Sequence, residues 1–482
     1  MRSHRLVVCF RVAALAVLPA AATQAQPGAP QGLPKEHRMA GESGGQSEAA
    51  AAAGMEVSRR RPALTQPTQQ TGGYDLRYGL GFPFQVAPGL AGLLCNARTV
   101  GAGHWDFEDG TDLVLFDRLD SIGTARALVV SRNETAADPA TGRQRCAVKY
   151  PVVGGFVPLG ARLPDGSAHP HAGTGFGLTQ VLSFALNDAG AFGWDDPYVE
   201  WVEVLQFAYD GEGMRLLNTE RRDAERPLTP DDGGGTIAVP GMSMALPDGA
   251  DLLFAVNVRD ANGETAGVSR WQREGEEWRP VAYVAVTGGA EPSLVRDVDG
   301  ALLFAVRGYG EHAEDVRVWR SADSQVWEQV LGAPGVRSAA PVVLNQAADG
   351  TPYISGNLIG HGRALLCLWP LNAARSALEA PVTARDCQAE FGPPAERAQW
   401  FADHPTTATV QLADGQWHNL LSYRVMAFRL DNTGEAVTDH TGCYMEEVQS
   451  PGAARPAWRF QAGTASATDS GGGAPLPPGS GG

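Results

Sequence analysis

Six titratable residues of this chain stand at or near equivalent places in a repeating stretch of sequence. In the clearest copies they come shortly before a proline that precedes an Asp-Gly pair by seven to nine residues. The set is His169, His171, Glu291, Arg337, Asp403 and His404. Carboxylates and imidazoles can exchange protons with a bound molecule, and a guanidinium group can bind a carboxylate or sulfate through two parallel hydrogen bonds. Since a scaffold alone does not require charged side chains there, we predict that these residues form a site.

Neighbouring residues suggest individual roles. Asp403 beside His404 is a pairing in which a carboxylate orients an imidazole for proton transfer. We predict catalytic roles for Glu291, Asp403, His404 and His171, and substrate-binding roles for Arg337, His169, Tyr423 and Arg424. The alternative is structural in each case, with the carboxylates capping strand amides, the Asp-His pair rigidifying a loop and Tyr423 packing in the core. His169 and His171 lack a clear third ligand and no C-x-x-C spacing occurs, so we predict no metal and no cofactor.

The elements that must position these residues follow from a unit of about fifty residues. Each copy has an Asp-Gly pair, then an apolar run of strand length, and then one or two tryptophans. The copies contain Asp248-Gly249, Asp299-Gly300, Asp349-Gly350 and, more loosely, Asp414-Gly415. Such a period, with short strands and tight turns, is typical of propeller blades, each a sheet that cannot bury both faces alone. We therefore predict an all-β fold consisting of a single β-propeller, with the repeated tryptophans packed between sheets.

The number of blades depends on the less regular first half. A further Asp-Gly pair occurs at Asp109-Gly110, and the gap from there to Asp248 has room for one blade with insertions or two compact ones. Six blades are favoured and seven is the alternative. We expect the ring to close by pairing the final strand, near 444–448, with a strand from 74–95, since an open ring would leave two edges exposed.

The two ends of the chain differ in composition from the repeats. Residues 1–25 have a basic start, an apolar stretch and small residues, which is the layout of a secretory signal peptide. Residues 26–73 and 451–482 are rich in small and polar residues, so we predict a disordered linker and a disordered tail. The propeller domain is then predicted over 74–450, in a secreted protein.

Net charge and cysteine content limit the classes of binding partner and the possible disulfides. The formal net charge of −16 argues against nucleic acid and anionic membranes, and no apolar stretch after the leader is long enough to span a bilayer. Export makes disulfides possible, with Cys367–Cys387 as the favoured pair and Cys95–Cys146 as the second. We expect a monomer.

The repeats resemble the sialidase-like propellers that carry bacterial neuraminidase (Asp-box) repeats. The run Glu291-Pro292-Ser293-Leu294-Val295-Arg296 before Asp299-Gly300 is similar to an inner strand and turn of those blades. The segment Ser321-Ala322-Asp323-Ser324-Gln325-Val326-Trp327 resembles an Asp box in which a glutamine replaces the glycine. The Arg-Ile-Pro type motif of true sialidases is missing, which leaves sialic acid specificity open.

The resemblance implies a carbohydrate-active enzyme with an axial pocket that takes acidic glycans. A glycoside hydrolase needs two carboxylates, for which Glu291 and Asp403 are the candidates. A polysaccharide lyase needs a base and a cation beside a uronate carboxylate, for which His171, His404 and Arg337 are the candidates. The alternative to both is a non-catalytic propeller that binds glycans or proteins.

Overall fold

The computed structural model describes most of the chain between residues 54 and 460. The described ranges are 54–58, 62–64, 75–100, 107–124, 127–188, 190–192, 196–222, 237–260, 263–394, 398–429, 435–436 and 439–460. They form six antiparallel sheets arranged as the blades of one propeller. The all-β class and the favoured count of six blades are thereby confirmed.

The first three blades contain the longest strands. Blade 1 consists of β3 (Asp75–Ala87), β4 (Leu90–Val100), β5 (Phe107–Phe116) and β6 (Ala127–Arg132). Blade 2 consists of β7 (Glu134–Ala137), β8 (Gln144–Lys149), β9 (Val153–Val157), β10 (Thr174–Ala185), β11 (Tyr198–Tyr209) and β12 (Met214–Arg222). Blade 3 consists of β13 (Ile237–Pro240), β14 (Leu246–Asp248), β15 (Asp251–Asp260), β16 (Gly263–Glu274) and β17 (Glu277–Gly288).

The last three blades are more regular. Blade 4 consists of β18 (Ala290–Arg296), β19 (Leu302–Arg307), β20 (Val316–Ser321) and β21 (Glu328–Ala333). Blade 5 consists of β22 (Val343–Gln346), β23 (Pro352–Asn357), β24 (Leu365–Pro370) and β25 (Val382–Asp386), followed by the short helix α1 (Cys387–Phe391). Blade 6 consists of β26 (Ala398–Gln411), β27 (Trp417–Arg429), β28 (Glu435–Ala436) and β29 (Gly442–Gln449). Two 3₁₀ turns occur at Leu119–Thr124 and Gly310–His312.

Every blade has the same two ends. The innermost strands contact those of the next blade around the axis, as β18 contacts β22 and β22 contacts β26. We call the end at which the innermost strand begins, and at which successive blades are connected, the connection end. The opposite end, where the first strand turns into the second, is the hairpin end. The Asp-Gly pairs of blades 3 to 6 form these first turns, whereas Asp109-Gly110 lies within β5 and marks no hairpin.

The ring closes through the N-terminal segment. Strands β1 (Glu56–Ser58) and β2 (Pro62–Leu64) both pair with β29, so the outer edge of blade 6 is covered. The predicted pairing of the last strand with 74–95 is therefore wrong, because β3 is occupied as the innermost strand of blade 1. The linker predicted over 26–73 also contains these two paired strands, so its boundary at 73 comes too late.

Residues 451–460 extend across the hairpin end, and we call them the C-terminal segment. The backbone N–H of Arg455 donates to Ala348 O at 2.6 Å in blade 5, and the Arg162 N–H of blade 2 donates to Arg459 O at 2.9 Å. Trp458 and Phe460 pack against the largest apolar cluster. The tail predicted to start at 451 therefore begins with ten residues that are part of the folded domain.

Apolar contacts between adjacent blades make up the core. Trp271 stacks on Phe176 of blade 2 with ring centroids 3.9 Å apart, and Trp319 and Trp369 are buried in the clusters of blades 4 and 5. The packing role predicted for the repeated tryptophans is confirmed. Among the described residues, no helix is long and apolar enough to cross a membrane.

Candidate functional site

The connection end of blade 4 carries a buried ion pair. Glu291 begins the blade in β18, and Arg307 ends the adjacent β19. One guanidinium nitrogen of Arg307 donates to both carboxylate oxygens of Glu291, at 3.1 and 3.2 Å. Both side chains retain a little solvent exposure, 12 % for Glu291 and 9 % for Arg307. This pair can therefore reach a ligand at the end of the axis.

A second ion-pair group lies in blade 6, with Asp403 at its centre. Arg424 donates from Nε to Oδ1 at 2.8 Å and from a terminal nitrogen to Oδ2 at 3.0 Å, while Arg363 donates to Oδ2 at 2.7 Å. Burial alone would raise the pKa of Asp403, but the charge of His404 and the charge and hydrogen bond of Arg363 lower it to about 2. The carboxylate is fully buried. Asp403 therefore holds its neighbours in place and does not itself face a ligand.

Asp403 also contacts His404, and the orientation of this imidazole for proton transfer stays a prediction. The Nδ1 atom of His404 is 3.0 Å from Asp403 Oδ1 and 3.4 Å from a terminal nitrogen of Arg424. Asp403 and His404 lie in β26, and Arg424 lies opposite Asp403 in β27. The strand register places all three at the same depth below the connection end.

Glu291 and His404 share an unusual backbone conformation. Each precedes a proline, and each has a positive φ, +51° for Glu291 and +54° for His404. Residues other than glycine seldom adopt this region, and such strain is concentrated at functional sites. The strand pairing is irregular at both places, between Ala290 and Ser293 and between Asp403 and Thr406. The positive φ interrupts the regular ladder at the start of β18 and in the middle of β26.

The two ion-pair groups act on each other electrostatically. Burial would raise the pKa of Glu291, but the charges of Arg307, His404 and Arg363 outweigh it and lower the pKa. We call the group formed by Glu291, Arg307, Arg363, Asp403, His404 and Arg424 the axial cluster. It contains three guanidinium groups against two carboxylates, and this excess of positive charge favours an anionic ligand.

Blades 2 and 3 add a further ionic group beside the axial cluster. Arg259 contacts Glu200 at 2.8 Å and Glu264 at 3.4 Å. Burial raises the pKa of Glu264, and the charges of Glu200 and Glu291 raise it further against the opposing effect of Arg259. Burial and the charge of Glu291 likewise raise the pKa of Tyr309. Glu264 and Glu291 are thus interacting carboxyl groups whose pKa values shift in opposite directions.

Arg337 is close to the axial cluster but faces the protein. Its side chain is fully buried and donates to the carbonyl oxygens of Asp315 at 2.9 Å, Ser338 at 3.0 Å and Ala340 at 2.5 Å. Burial, together with the charge of Arg307, lowers its pKa to about 10. These contacts stabilise the connection between blades 4 and 5, so the predicted substrate contact of Arg337 is not observed.

Tyr423 and Arg424 point to opposite sides of β27, as successive residues of a strand do. The Tyr423 hydroxyl donates to Glu446 at 2.5 Å and accepts from Arg385 Nε at 2.7 Å, and the ring is fully buried. Of the two predicted binding residues, only Arg424 joins the axial cluster, while Tyr423 has the packing role that was the alternative.

His169 and His171 lie at the hairpin end, far from this cluster. The His171 ring is 5.4 Å from Trp278, and the His169 ring is 6.0 Å from Trp458 of the C-terminal segment. Burial lowers the pKa of both imidazoles. The innermost strand of blade 2 is split into β8 and β9, so 158–173 connects the first strand to the second at the hairpin end. The predicted convergence of His169 and His171 with Glu291 is therefore wrong.

The sequence interpretation missed Arg307, Arg363 and Glu264. Arg307 could have been found, because each repeat has a polar residue seven to nine positions after the glycine of its Asp-Gly pair. These residues are Asn257, Arg307, Asn357 and Arg424. Arg363 lies in the loop between β23 and β24, and Glu264 lies at the start of β16. Neither position carries a repeated signal.

A recess outside the axial cluster and possible metal-binding groups are the other candidate sites. A recess of about 330 Å³ lies beside blade 2, lined in part by Asp138, Arg145, Trp201 and Arg221, and it includes no member of the axial cluster. The recess lies on blade 2 beside the β7–β8 hairpin. In the part of the chain that the structure describes, no group of three or more His, Cys, Asp or Glu residues is placed to hold a metal ion.

Comparison with known proteins finds similarity of fold at low sequence identity. No protein-family model matches the chain, and no curated protein sequence matches it. A mutant sialidase of Trypanosoma rangeli with trans-sialidase activity superposes with a TM-score of 0.47 at 13% identity, covering 82% of this chain and 58% of that one. The chain thus spans little more than half of that sialidase.

Two further solved structures are covered almost completely. An α-L-arabinanase of Penicillium chrysogenum, solved with arabinobiose, gives a TM-score of 0.44 at 10% identity over 82% of this chain and 98% of its own. The intramolecular trans-sialidase of Ruminococcus gnavus, solved with oseltamivir carboxylate, gives 0.43 at 13% identity over 83% and 97%. The strand pairing of the chain itself defines its class, a six-bladed β-propeller with an arginine-rich site at one end of its axis.

Proposed function

We propose that this protein is a glycoside hydrolase that acts on glycans carrying an anionic group. The observation that carries the proposal is the axial cluster, where Arg307, Arg363 and Arg424 surround an end of the axis in a protein of formal charge −16. Guanidinium groups bind carboxylates and sulfates in a fixed geometry, so the cluster selects an acidic sugar over a neutral one.

The catalytic roles follow from the opposite pKa shifts of two carboxyl groups. Glu264, whose pKa is raised by burial, donates a proton to the leaving glycosidic oxygen. Glu291, kept ionised by Arg307, stabilises the oxocarbenium-like transition state or attacks the anomeric carbon. Asp403 is fully buried, so it takes neither of these catalytic roles. It orients His404 and Arg424.

A polysaccharide lyase is the second candidate, and the contact between Asp403 and His404 favours it. A proton on Nδ1 of His404 directed at Asp403 leaves Nε2 as a base that can take a proton alpha to a uronate carboxylate. Arg424 is then the neighbouring cation that neutralises this carboxylate.

The compartment and assembly are part of the same proposal. The basic start and apolar stretch of residues 1–25 support export, and the acidic glycans of cell surfaces and matrices are found there. We propose a secreted monomer, with one complete site per chain, because both ion-pair groups of the axial cluster come from one ring of blades.

Incubation with paired neutral and acidic oligosaccharides tests the proposal. A hydrolase releases new reducing ends from the acidic member of a pair, and Glu264→Gln abolishes release from substrates with poor leaving groups. An unsaturated, ultraviolet-absorbing product would identify the lyase instead. Binding of acidic glycans without turnover would leave a binding propeller, and preference for neutral glycans would contradict the role of the arginines.

A further inference from the structure

Two cysteines meet where the first blade contacts the last. Cys95 lies in β4 of blade 1, and Cys443 lies in β29 of blade 6. Both are fully buried, and both belong to one apolar cluster with Leu93 of blade 1 and Leu420 of blade 6. Although they are far apart in sequence, ring closure makes them neighbours.

The two side chains are neighbours. Burial, together with the nearby Cys443 thiol, raises the pKa of Cys95. The backbone gives an independent measure, because Gly81 is directly opposite Cys95 in the β3–β4 ladder and opposed side chains lie on one face of a sheet. A Cβ atom on Gly81 would be 2.8 Å from Cys443 Sγ. Because residue 81 is a glycine, the Cys443 thiol has room to lie beside Cys95.

The other three described cysteines lie in three different apolar clusters. Cys367 packs in the cluster of blades 4 and 5, whereas Cys387 packs in the cluster of blades 5 and 6, so the pair favoured by the sequence is separated. Cys146 belongs to a third cluster in blade 2, apart from Cys95. Both predicted pairings are thus wrong, and the structure leaves all five described cysteines as thiols.

We propose that Cys95 and Cys443 form a disulfide that covalently locks the first blade to the last when the chain folds in an oxidising environment. Noncovalent closure rests on β1, β2 and the packing of blade 1 on blade 6. The disulfide adds a covalent link that encloses most of the propeller in one loop. Cross-links that close long loops restrict the unfolded chain most, so this one favours the closed ring.

The chemistry balances with a small disulfide as oxidant. The Cys443 thiolate attacks glutathione disulfide, forming a mixed disulfide and releasing one glutathione thiolate. The Cys95 thiolate then displaces the second glutathione, so that two protons and two electrons leave the protein and two glutathione thiols form. Because both sulfurs are buried in the folded ring, the reaction must precede the docking of blade 1 on blade 6.

Refolding of the full chain in two glutathione buffers, one oxidising and one reducing, tests this inference. After alkylation without reduction, peptide mapping should show the peptide containing Cys95 linked to that containing Cys443 in the oxidised sample alone. The oxidised protein should also unfold at a higher temperature than the reduced one. This readout does not depend on turnover, so it is separate from the test of the proposed function.

Single cysteine variants test whether the difference in Tm depends on Cys95 and Cys443. Cys95→Ala and Cys443→Ala should each remove the difference in Tm between oxidised and reduced protein, whereas Cys146→Ala should keep it. Free thiols at both positions in the oxidised wild type would overturn the proposal, as would a linkage of either residue to another cysteine. The mapping uses the wild type, so it decides the question even if a variant folds poorly.

Discussion

The connection end and the hairpin end of this propeller are built from the same repeats, yet their acidic residues bind different kinds of partner. At the hairpin end, turn aspartates accept from nearby backbone amides, as Asp349 does from Thr351 at 3.0 Å and Asp414 does from Gln416 at 2.9 Å. At the connection end, Glu291 and Asp403 bind arginines from other strands. The Asp-Gly turns at the hairpin end thus depend on local hydrogen bonds, with a long-range pair of Asp297 and Arg375 beside the turn of blade 4, whereas the axial cluster consists of long-range ion pairs.

Burial determines how much free energy is lost when an ion pair at either end is broken. Asp299 pairs with Arg320 at the hairpin end while 53 % of its side chain is exposed, whereas Asp403 has no exposure. Exposed ion pairs contribute little to stability, but removing one partner of a buried pair leaves an uncompensated charge. The comparison predicts that function is concentrated at the connection end, whereas stability effects follow burial at both ends, since Asp297 pairs with Arg375 at the hairpin end with only 4 % of its side chain exposed.

The largest expected effect is on catalysis. Glu291→Gln removes the negative charge that Arg307 holds in place, and we expect turnover to fall by about 10³-fold, or about 4 kcal/mol in activation free energy. His171→Gln at the hairpin end should leave kcat unchanged. Steady-state kinetics on the acidic glycan that the wild type cleaves measures both, and equal losses in the two variants would contradict the comparison.

A smaller loss, in stability, is expected for Asp403→Asn. The change leaves Arg363 and Arg424 buried without their carboxylate, which should lower the free energy of unfolding by about 3 kcal/mol. Asp299→Asn is the matched control in an exposed pair and should cost less than about 1 kcal/mol. Urea unfolding followed by tryptophan fluorescence gives both values. Similar small changes in the two variants would show that the buried ion pairs do not support the ring.

The sequence predicted the propeller more fully than it predicted the site, for a physical reason. The Asp-Gly turns and apolar runs recur because every blade must make the same hairpin and bury the same face. Glu291, Asp403 and His404 could be placed because they come immediately before the proline that precedes each turn by seven to nine residues, and Arg424 because it lies in the strand after the turn. The inserted hairpin of β7 and β8 shifts blade 2 out of register, so His169 and His171 were assigned to the wrong end.

The residues that the sequence interpretation missed lie at positions where the repeat does not constrain the residue type. Arg363 is in a loop of blade 5 that has no counterpart of the same length in the other blades, and it reaches Asp403 only because blades 5 and 6 are adjacent in space. Burial raises the pKa of Glu264, and Glu200 and Glu291 of the neighbouring blades 2 and 4 raise it further. Contacts between blades, which no single repeat encodes, therefore determine the chemistry of the axial cluster.

The pH dependence of stability gives a further test of Asp403. Its pKa in the folded state, about 2, is below the ordinary value of 3.8, so its stabilising contribution is complete above about pH 5 and is lost as the pH falls towards 2. The wild type should therefore lose about 2 kcal/mol more than Asp403→Asn between pH 5 and pH 2. Urea unfolding of both proteins across this range measures the difference. Parallel pH profiles would mean that Asp403 has an ordinary pKa in the folded state.

The smallest expected effect concerns Trp458, which packs at the hairpin end. This side chain is partly buried against the largest apolar cluster, and its ring lies 6.0 Å from that of His169. Trp458→Ala should lower the free energy of unfolding by about 1 kcal/mol, since roughly half of the benefit of burying a large side chain is lost. Trp458→Phe retains most of the contact and should cost less. Because the axial cluster is at the other end of the strands, kcat and KM should stay the same in both variants. A fall in activity at unchanged stability would show that the C-terminal segment acts on the site, and the separation of the two ends would then fail.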